Sequence, residues 1–262
     1  MKYLSIKHLL SKTIALSIIA LFAISCGKGE REVISSYSNG NPKLVYYTKT
    51  NNGVKTRVYE QMYYENGKIR YKGSCLNTEK NGTWKYYYEN GRKFAQCDFT
   101  NSKAGKKWTL LSTDGNKFVD SKDSIAEIVF YYDGCPAAIR VIQQKKETLY
   151  KFFPSFKTQV KCAMKGNILN GPSLSYFENG NINSKNYYRD GMQEGEYVLY
   201  YDNGSVRIKG NYSKDKQVDS WQYFKSNGQP DGEEVYSNEG KLIKARNTGL
   251  HYYGKDGKEL KM

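Results

Sequence analysis

The apolar positions of this chain recur in short alternating runs, interrupted again and again by the same polar turn. Tyr63-Tyr64-Glu65-Asn66-Gly67, Tyr87-Tyr88-Glu89-Asn90-Gly91 and Leu111-Ser112-Thr113-Asp114-Gly115 follow one another at a step of 24 residues. Tyr176-Phe177-Glu178-Asn179-Gly180, Tyr200-Tyr201-Asp202-Asn203-Gly204 and Phe224-Lys225-Ser226-Asn227-Gly228 do the same. Trp84 and Trp108 keep that step, as do Tyr197 and Trp221; Gly82, Gly105, Gly171 and Gly195 mark a second turn inside each unit. Alternation bounded by turn residues predicts strands, and a fixed period of this length predicts stacked like units. The expected fold is therefore all-β: an elongated single twisted antiparallel sheet of successive β-hairpins, each stabilised by its neighbours.

Asn-Gly between β-formers predicts a two-residue type I′ loop, because both central residues then need positive φ. With Asn90-Gly91 as that loop, Glu89 faces Arg92, Tyr88 faces Lys93, Tyr86 faces Ala95 and Trp84 faces Cys97; at Asn66-Gly67, Tyr64 faces Ile69 and Met62 faces Tyr71. One face then carries Met62, Tyr64, Trp84, Tyr86, Tyr88, Tyr197, Leu199, Tyr201, Trp221 and Tyr223, and is the more apolar. The other mixes Tyr63, Tyr87, Tyr176, Tyr200 and Phe224 with Lys and Arg, which Tyr tolerates because its ring packs while its hydroxyl stays wet.

Between 116 and 165 the pattern blurs. Tyr131-Tyr132-Asp133-Gly134 is a recognisable copy, and Phe152-Phe153-Pro154-Ser155-Phe156 stands 24 residues before the 176–180 copy without its Gly. This stretch reads as degenerate repeats, or as a small insertion with a short helix around Ala137–Lys146. Tyr37-Ser38-Asn39-Gly40 and Tyr252–Gly257 open and close the series.

The first residues carry a different signal. Lys2, Lys7 and Lys12 precede an apolar run of 11 residues from Ile14 to Ile24, then Ser25-Cys26-Gly27. That is a signal peptide, with a core too short for a permanent span of a ~30 Å hydrocarbon layer. Ala23-Ile24-Ser25-Cys26 resembles the bacterial lipobox, which implies acylation of Cys26 and a lipid anchor in the cell envelope. The chain thus divides into a signal peptide (1–25), a lipidated Cys with tether (26–36), N-terminal repeats (37–115), the degenerate stretch (116–165) and C-terminal repeats (166–262).

Composition sharpens this picture. Tyr numbers 25 and Gly 24, as the repeat requires, while His numbers 2, which leaves little for histidine-based catalysis or metal binding. Removing three of the 41 basic residues with the leader leaves 38 against 26 acidic ones, a net charge of +12 spread along the chain. For an exported protein this favours an anionic envelope component or a protein as partner, with the membrane reached through the anchor and no nucleic acid expected. Cys75, Cys97, Cys135 and Cys162 could form two disulfides in an oxidising compartment or stay free and buried; the pairing expected is Cys75–Cys97 and Cys135–Cys162. Trp84, Trp108, Tyr197 and Trp221 form a candidate aromatic binding face. No pair of carboxylates, GxSxG motif or metal-like spacing points to an enzyme, and no cofactor is expected.

Tyr-Tyr-x-Asn-Gly followed about 15 residues later by Asn-Gly-x-Trp (Asn81–Trp84) or Glu-Gly-x-Tyr (Glu194–Tyr197) resembles the bacterial variant of the MORN repeat, in chains often labelled YwqK-type antitoxins. The likeness is strongest over Tyr63–Gly115 and Gly171–Gly228 and extends roughly over residues 37–257. It implies a hairpin array used for scaffolding, lipid contact or protein contact. The antitoxin label implies a cytoplasmic role at odds with the lipobox. A carbohydrate-binding surface protein is the alternative that the aromatic face suggests.

Overall fold

A computed structural model describes residues 29–119, 124–130 and 134–246. The signal peptide, Cys26, His251 and the Tyr252–Gly257 copy lie outside the described residues, as do Tyr131, Tyr132 and Asp133. Twenty-one strands and no helix are present among the described residues. The first nine are β1 (Glu30–Ser36), β2 (Pro42–Asn51), β3 (Val54–Tyr63), β4 (Ile69–Leu76), β5 (Glu79–Lys80), β6 (Gly82–Tyr87), β7 (Lys93–Thr100), β8 (Lys103–Leu111) and β9 (Lys117–Val119). The next five are β10 (Ser124–Phe130), β11 (Pro136–Gln143), β12 (Lys146–Phe152), β13 (Thr158–Lys165) and β14 (Ile168–Tyr176). The rest are β15 (Ile182–Arg189), β16 (Met192–Gln193), β17 (Gly195–Tyr200), β18 (Val206–Ser213), β19 (Lys216–Phe224), β20 (Pro230–Tyr236) and β21 (Leu242–Arg246).

All pairings are antiparallel and follow chain order, so the hairpin array is as expected. It is divided, however: β1–β9 form one sheet and β10–β21 a second, where a single sheet was expected. The alternative of a short helix around Ala137–Lys146 does not arise, because β11 occupies Pro136–Gln143.

The Asn-Gly turns differ from the expected type I′ loops. Tyr64 N–H donates to Lys68 O and Gly67 N–H to Tyr64 O, and the same pair of bonds recurs at nine turns, starting at residues 37, 64, 88, 112, 153, 177, 201, 225 and 237. This is a three-residue loop, a type I turn closed by a left-handed residue. Only the glycine takes positive φ, +79° at Gly67 and +89° at Gly91. Asn serves another purpose: its Oδ1 accepts the main-chain N–H two residues on, as in Asn66 with Lys68 (3.0 Å) and Asn90 with Arg92 (2.9 Å). True type I′ loops lie at the other ends of the strands, at Asn52-Gly53, Asn77-Thr78, Asn101-Ser102, Gln144-Lys145, Asp190-Gly191 and Lys214-Asp215, each with both φ values positive.

The three-residue loop shifts the register of the strand behind it. Trp84 faces Cys97, Tyr86 faces Ala95 and Met62 faces Tyr71 as expected, but Lys93 pairs with Tyr87 and Ile69 with Tyr63. Arg70 and Phe94 are left as the extra residues of β-bulges. The bulge turns these side chains onto the motif tyrosine: the Arg70 guanidinium lies 5.7 Å from the Tyr64 ring, Arg207 5.6 Å from Tyr201, and Phe94 meets Tyr88 edge-on at 5.3 Å. The inner glycines are bulges too, not second turns. Gly82, Gly171 and Gly195 have positive φ, and Asp219 holds the matching position at +60°.

The core forms where the sheets meet. Aromatic residues of β4, β6, β7 and β8 face β11, β12 and the Phe153–Lys157 turn, burying Tyr71, Trp84, Tyr86, Phe94, Phe99 and Trp108 against Ile139, Val141, Phe152 and Phe156. Phe156 replaces the turn glycine of its repeat, takes φ +66°, and stacks on Phe94 at 4.8 Å. An aromatic residue in the left-handed region costs about 1–2 kcal/mol; burial of its ring exceeds that. Farther along the second sheet the packing thins to a single aromatic row, Tyr197, Tyr212 and Trp221, with ring separations of 4.9 to 5.6 Å.

Two substitutions to glycine at left-handed positions should therefore have opposite effects. Asp219→Gly, at an exposed bulge, relieves strain and should stabilise by about 1 kcal/mol. Phe156→Gly relieves the same strain but removes a buried ring, and should cost about 2–4 kcal/mol net. Urea unfolding of both variants checks this; stabilisation by Phe156→Gly would refute its place in the core.

Candidate functional site

The aromatic face expected to bind ligand is closed. Trp84, Trp108 and Trp221 are 0%, 1% and 2% exposed. Each indole N–H is bonded to main chain: Trp84 to Ser74 O and Trp108 to Gly105 O at 2.9 Å, Trp221 to Val218 O at 3.2 Å. Opposite two of the rings stand glycines, because a Cβ at Gly73 would lie 2.3 Å from the Trp84 ring and one at Gly210 2.2 Å from the Trp221 ring. Tyr197, half-buried, stacks on Trp221 at 5.6 Å. These four residues are packing elements, not a platform for sugar rings.

Trp84 and its neighbours do hold a cation, and it is the protein's own. Lys80 Nζ lies 4.2 Å from the Trp84 ring, 5.2 Å from Phe99, 5.5 Å from Tyr86 and 5.6 Å from both Tyr71 and Phe130. It donates to Tyr86 Oη at 3.2 Å and to Gly134 O of the second sheet at 2.8 Å. Aromatic quadrupoles around a part-buried ammonium contribute more than at an exposed site, and with its bond to Gly134 O Lys80 links the two sheets.

The cysteines are buried free thiols. The expected Cys75–Cys97 bridge fails on sheet geometry. Cys75 lies in β4 and Cys97 in β7, with β6 between them. Two strand spacings amount to about 9–10 Å, beyond the ~7 Å within which Cα atoms can be bridged. Cys162 in β13 and Cys135, just before β11, are likewise separated by β12. Adjacent hairpins are adjacent in sequence, but same-column residues in them are two strands apart. Burial pushes the Cys75 thiol up to about 11, against a smaller opposing pull from Arg57, and Cys97 up to about 12. Among the described residues no cluster of His, Cys, Asp and Glu could hold a metal.

One open concavity joins the two sheets near their turns. A cleft of about 380 Å³ is lined from the first sheet by Tyr88, Ser112 and Thr113, and from the second by Tyr150, Lys157, Lys161 and Tyr176, among others. Tyr88 forms its floor, its hydroxyl donated to Leu111 O at 2.8 Å. Lys161 Nζ lies 5.8 Å from the Tyr150 ring across the β12–β13 pair, and Lys157 Nζ donates to Glu178 O at 2.7 Å. The lining contains no carboxylate. Sequence reasoning passed over Lys80, Lys157 and Lys161 because no local motif marks them; only the packing of one sheet on the other gives them neighbours.

The family model of the MORN repeat variant matches residues 59–75, 80–101, 169–190 and 193–214. Each match contains one hairpin centred on an Asn-Gly turn, at Asn66, Asn90, Asn179 and Asn203 in turn. These four segments carry the MORN repeat variant. No curated protein matches this MORN-repeat chain. A solved structure, "Crystal Structure of TcdB2-TccC3-TEV", is similar over 88% of this chain and 15% of its own, at 9% identity and a TM-score of 0.21, which carries no argument.

Two solution properties of the MORN-repeat body follow. Lys80→Met keeps the apolar stem but leaves Gly134 O and Tyr86 Oη without this donor, and should cost about 1–3 kcal/mol in urea unfolding, whereas the same change at exposed Lys103 should stay within about 0.5 kcal/mol. The raised thiols set an alkaline limit. Burial lifts them above the unfolded value of 9.0, so the stability they contribute is complete below pH 9 and is lost as pH rises through about 11 and 12. Stability measured from pH 7 to 11 should fall only above pH 9, and thiol alkylation at pH 8 should require unfolding; rapid native alkylation would contradict the burial.

Proposed function

We propose that this MORN-repeat protein is a bacterial lipoprotein of the cell envelope, acylated at Cys26, whose repeat body is a non-catalytic surface for binding or scaffolding an envelope partner. The observation that carries the reading is the leader: three lysines, an apolar run too short to span, and Ala23-Ile24-Ser25-Cys26. Several acyl chains on one residue hold a protein at a membrane far more firmly than a single chain.

The geometry of the body suits such an anchor. β1 begins at Glu30, four residues beyond Cys26, so the chain between them reaches at most about 14 Å. Glu30 pairs with Thr48, close to the Asn52-Gly53 loop. That end of the first sheet, with exposed Lys49 and Val54, would then sit at the head groups, leaving the rest of the repeat surface free for a partner. A binding role is supported by the use of the polar side chains: motif tyrosine hydroxyls and turn amides are engaged with main chain, and the extended surface between them offers many modest contacts.

Cys26→Ala should abolish incorporation of an alkyne-labelled fatty acid and move the protein from the membrane fraction to the soluble fraction. The intact mass of the unmutated protein should correspond to a chain starting at an acylated Cys26. An unacylated mature chain, or unchanged membrane association in the variant, would refute the anchor.

A further inference from the structure

The repeats alone make sheets; the cleft between them has a chemical character of its own. Its cations are Lys157 and Lys161, and no acid lines it. Lys157 has one N–H committed to Glu178 O. Lys161 is exposed and its Nζ lies 5.8 Å from the Tyr150 ring, with no acidic partner among the described residues. The ammonium thus lies at the Tyr150 wall of the cleft and makes no side-chain hydrogen bond among the described residues. Thr113 and Thr158 also line the cleft, and their hydroxyls make no side-chain hydrogen bond among the described residues. Tyr150 and Tyr176 supply half-buried aromatic surface; burial raises the Tyr176 phenol above its ordinary value, so it is a neutral donor at any physiological pH.

Aromatic walls, neutral hydroxyls and uncompensated cations suit a ligand that is at once flat-faced, polyhydroxylated and negatively charged. A volume of about 380 Å³ falls in the range of small-ligand sites, ~300–1,000 Å³. We propose that this cleft binds an anionic saccharide of one or two rings, with its carboxylate at Lys161 and Lys157 and a ring against Tyr150 and Tyr176. The site deepens the binding role proposed above by assigning it a place and a ligand class. It also relocates the carbohydrate reading from the buried tryptophans to a basic, tyrosine-lined cleft.

The test uses the full-length chain in detergent, so its outcome does not depend on whether Cys26 is acylated; failure here leaves the anchor standing. A glucuronate-containing disaccharide, cellobiose and inorganic phosphate are titrated separately by calorimetry. Saturable binding of the charged disaccharide is expected, weakened about tenfold by Lys161→Gln and by added salt, retained in Lys161→Arg, with cellobiose and phosphate each binding far more weakly. Thr158→Val should weaken it without changing the melting temperature. Absence of saturable binding overturns the proposal. So does phosphate binding as tightly with the same dependence on Lys161, which would make this an anion site without saccharide recognition, and so does cellobiose binding equally well.

Discussion

The structure depends on one interaction repeated along its turn edge, the gift of a side-chain donor from each turn to the main chain of the next. Tyr37 Oη donates to Tyr63 O, Tyr64 Oη to Tyr87 O, Tyr88 Oη to Leu111 O and Tyr201 Oη to Phe224 O, at 2.8 to 2.9 Å. Each acceptor is the last carbonyl of a strand entering a turn. At six of the turns the residue after the turn glycine or its substitute makes a second link: Asn41, Lys68, Arg92, Lys157, Asn181 and Ser205 all donate to a carbonyl of the following turn. Main-chain carbonyls at these strand ends and turns need partners, and here the partner is supplied by the neighbouring repeat. The links fix the spacing between units, and so the motif recurs at 24 residues.

This explains both what the sequence made legible and what it concealed. Hairpins, strand pairs such as Trp84 with Cys97, and the inward face through Met62, Tyr64, Tyr86 and Tyr88 follow from period-2 alternation and a fixed repeat, which are local properties. The turn type was misread because Asn-Gly serves two loop geometries, and the choice rests on whether Asn bonds forward through Oδ1, as it does from Asn66 to Lys68. The type I′ loops were missed because five of the six lack the Asn-Gly signature; Gln144-Lys145 and Lys214-Asp215 adopt positive φ only because the strands on either side hold them there. The cysteines were misjudged for a topological reason: equal columns in successive hairpins share a face but never a strand pair.

The division into two sheets was the deeper omission, and its cause can be traced to particular residues. Upstream of Tyr201 the hydroxyl column lapses at Ser112, Phe153 and Phe177, where the motif's second tyrosine is absent. At the middle of these, the turn glycine is also replaced by Phe156. A repeat without its tyrosine hydroxyl loses one link to its successor, and a repeat with a large apolar residue at its turn gains a reason to bury that turn elsewhere. Phe156 finds Phe94, Phe152 is drawn with it, and Arg70 of the first sheet reaches Pro154 O at 3.1 Å. Lys80 closes the contact from the other side by bonding Gly134 O. What reads in the sequence as wear is the docking element of the second sheet.

The same departure bears on function. An unbroken hairpin sheet presents broad, shallow faces on which contacts are many and individually weak. Setting the Phe153–Lys157 turn onto the first sheet places Lys157, Thr158 and Lys161 opposite Ser112 and Thr113, and creates an open cleft whose lining holds two lysines and no carboxylate. The tryptophans could not have served, because each closes on a backbone with no room for a side chain or on a cysteine facing it. In a repeat protein the regular copies are committed to holding one another, through hydroxyls, amides and rings alike. A site that recognises a particular molecule has to be built where that commitment is relaxed, and in this chain it is relaxed at the copy that lost its tyrosine and its glycine together.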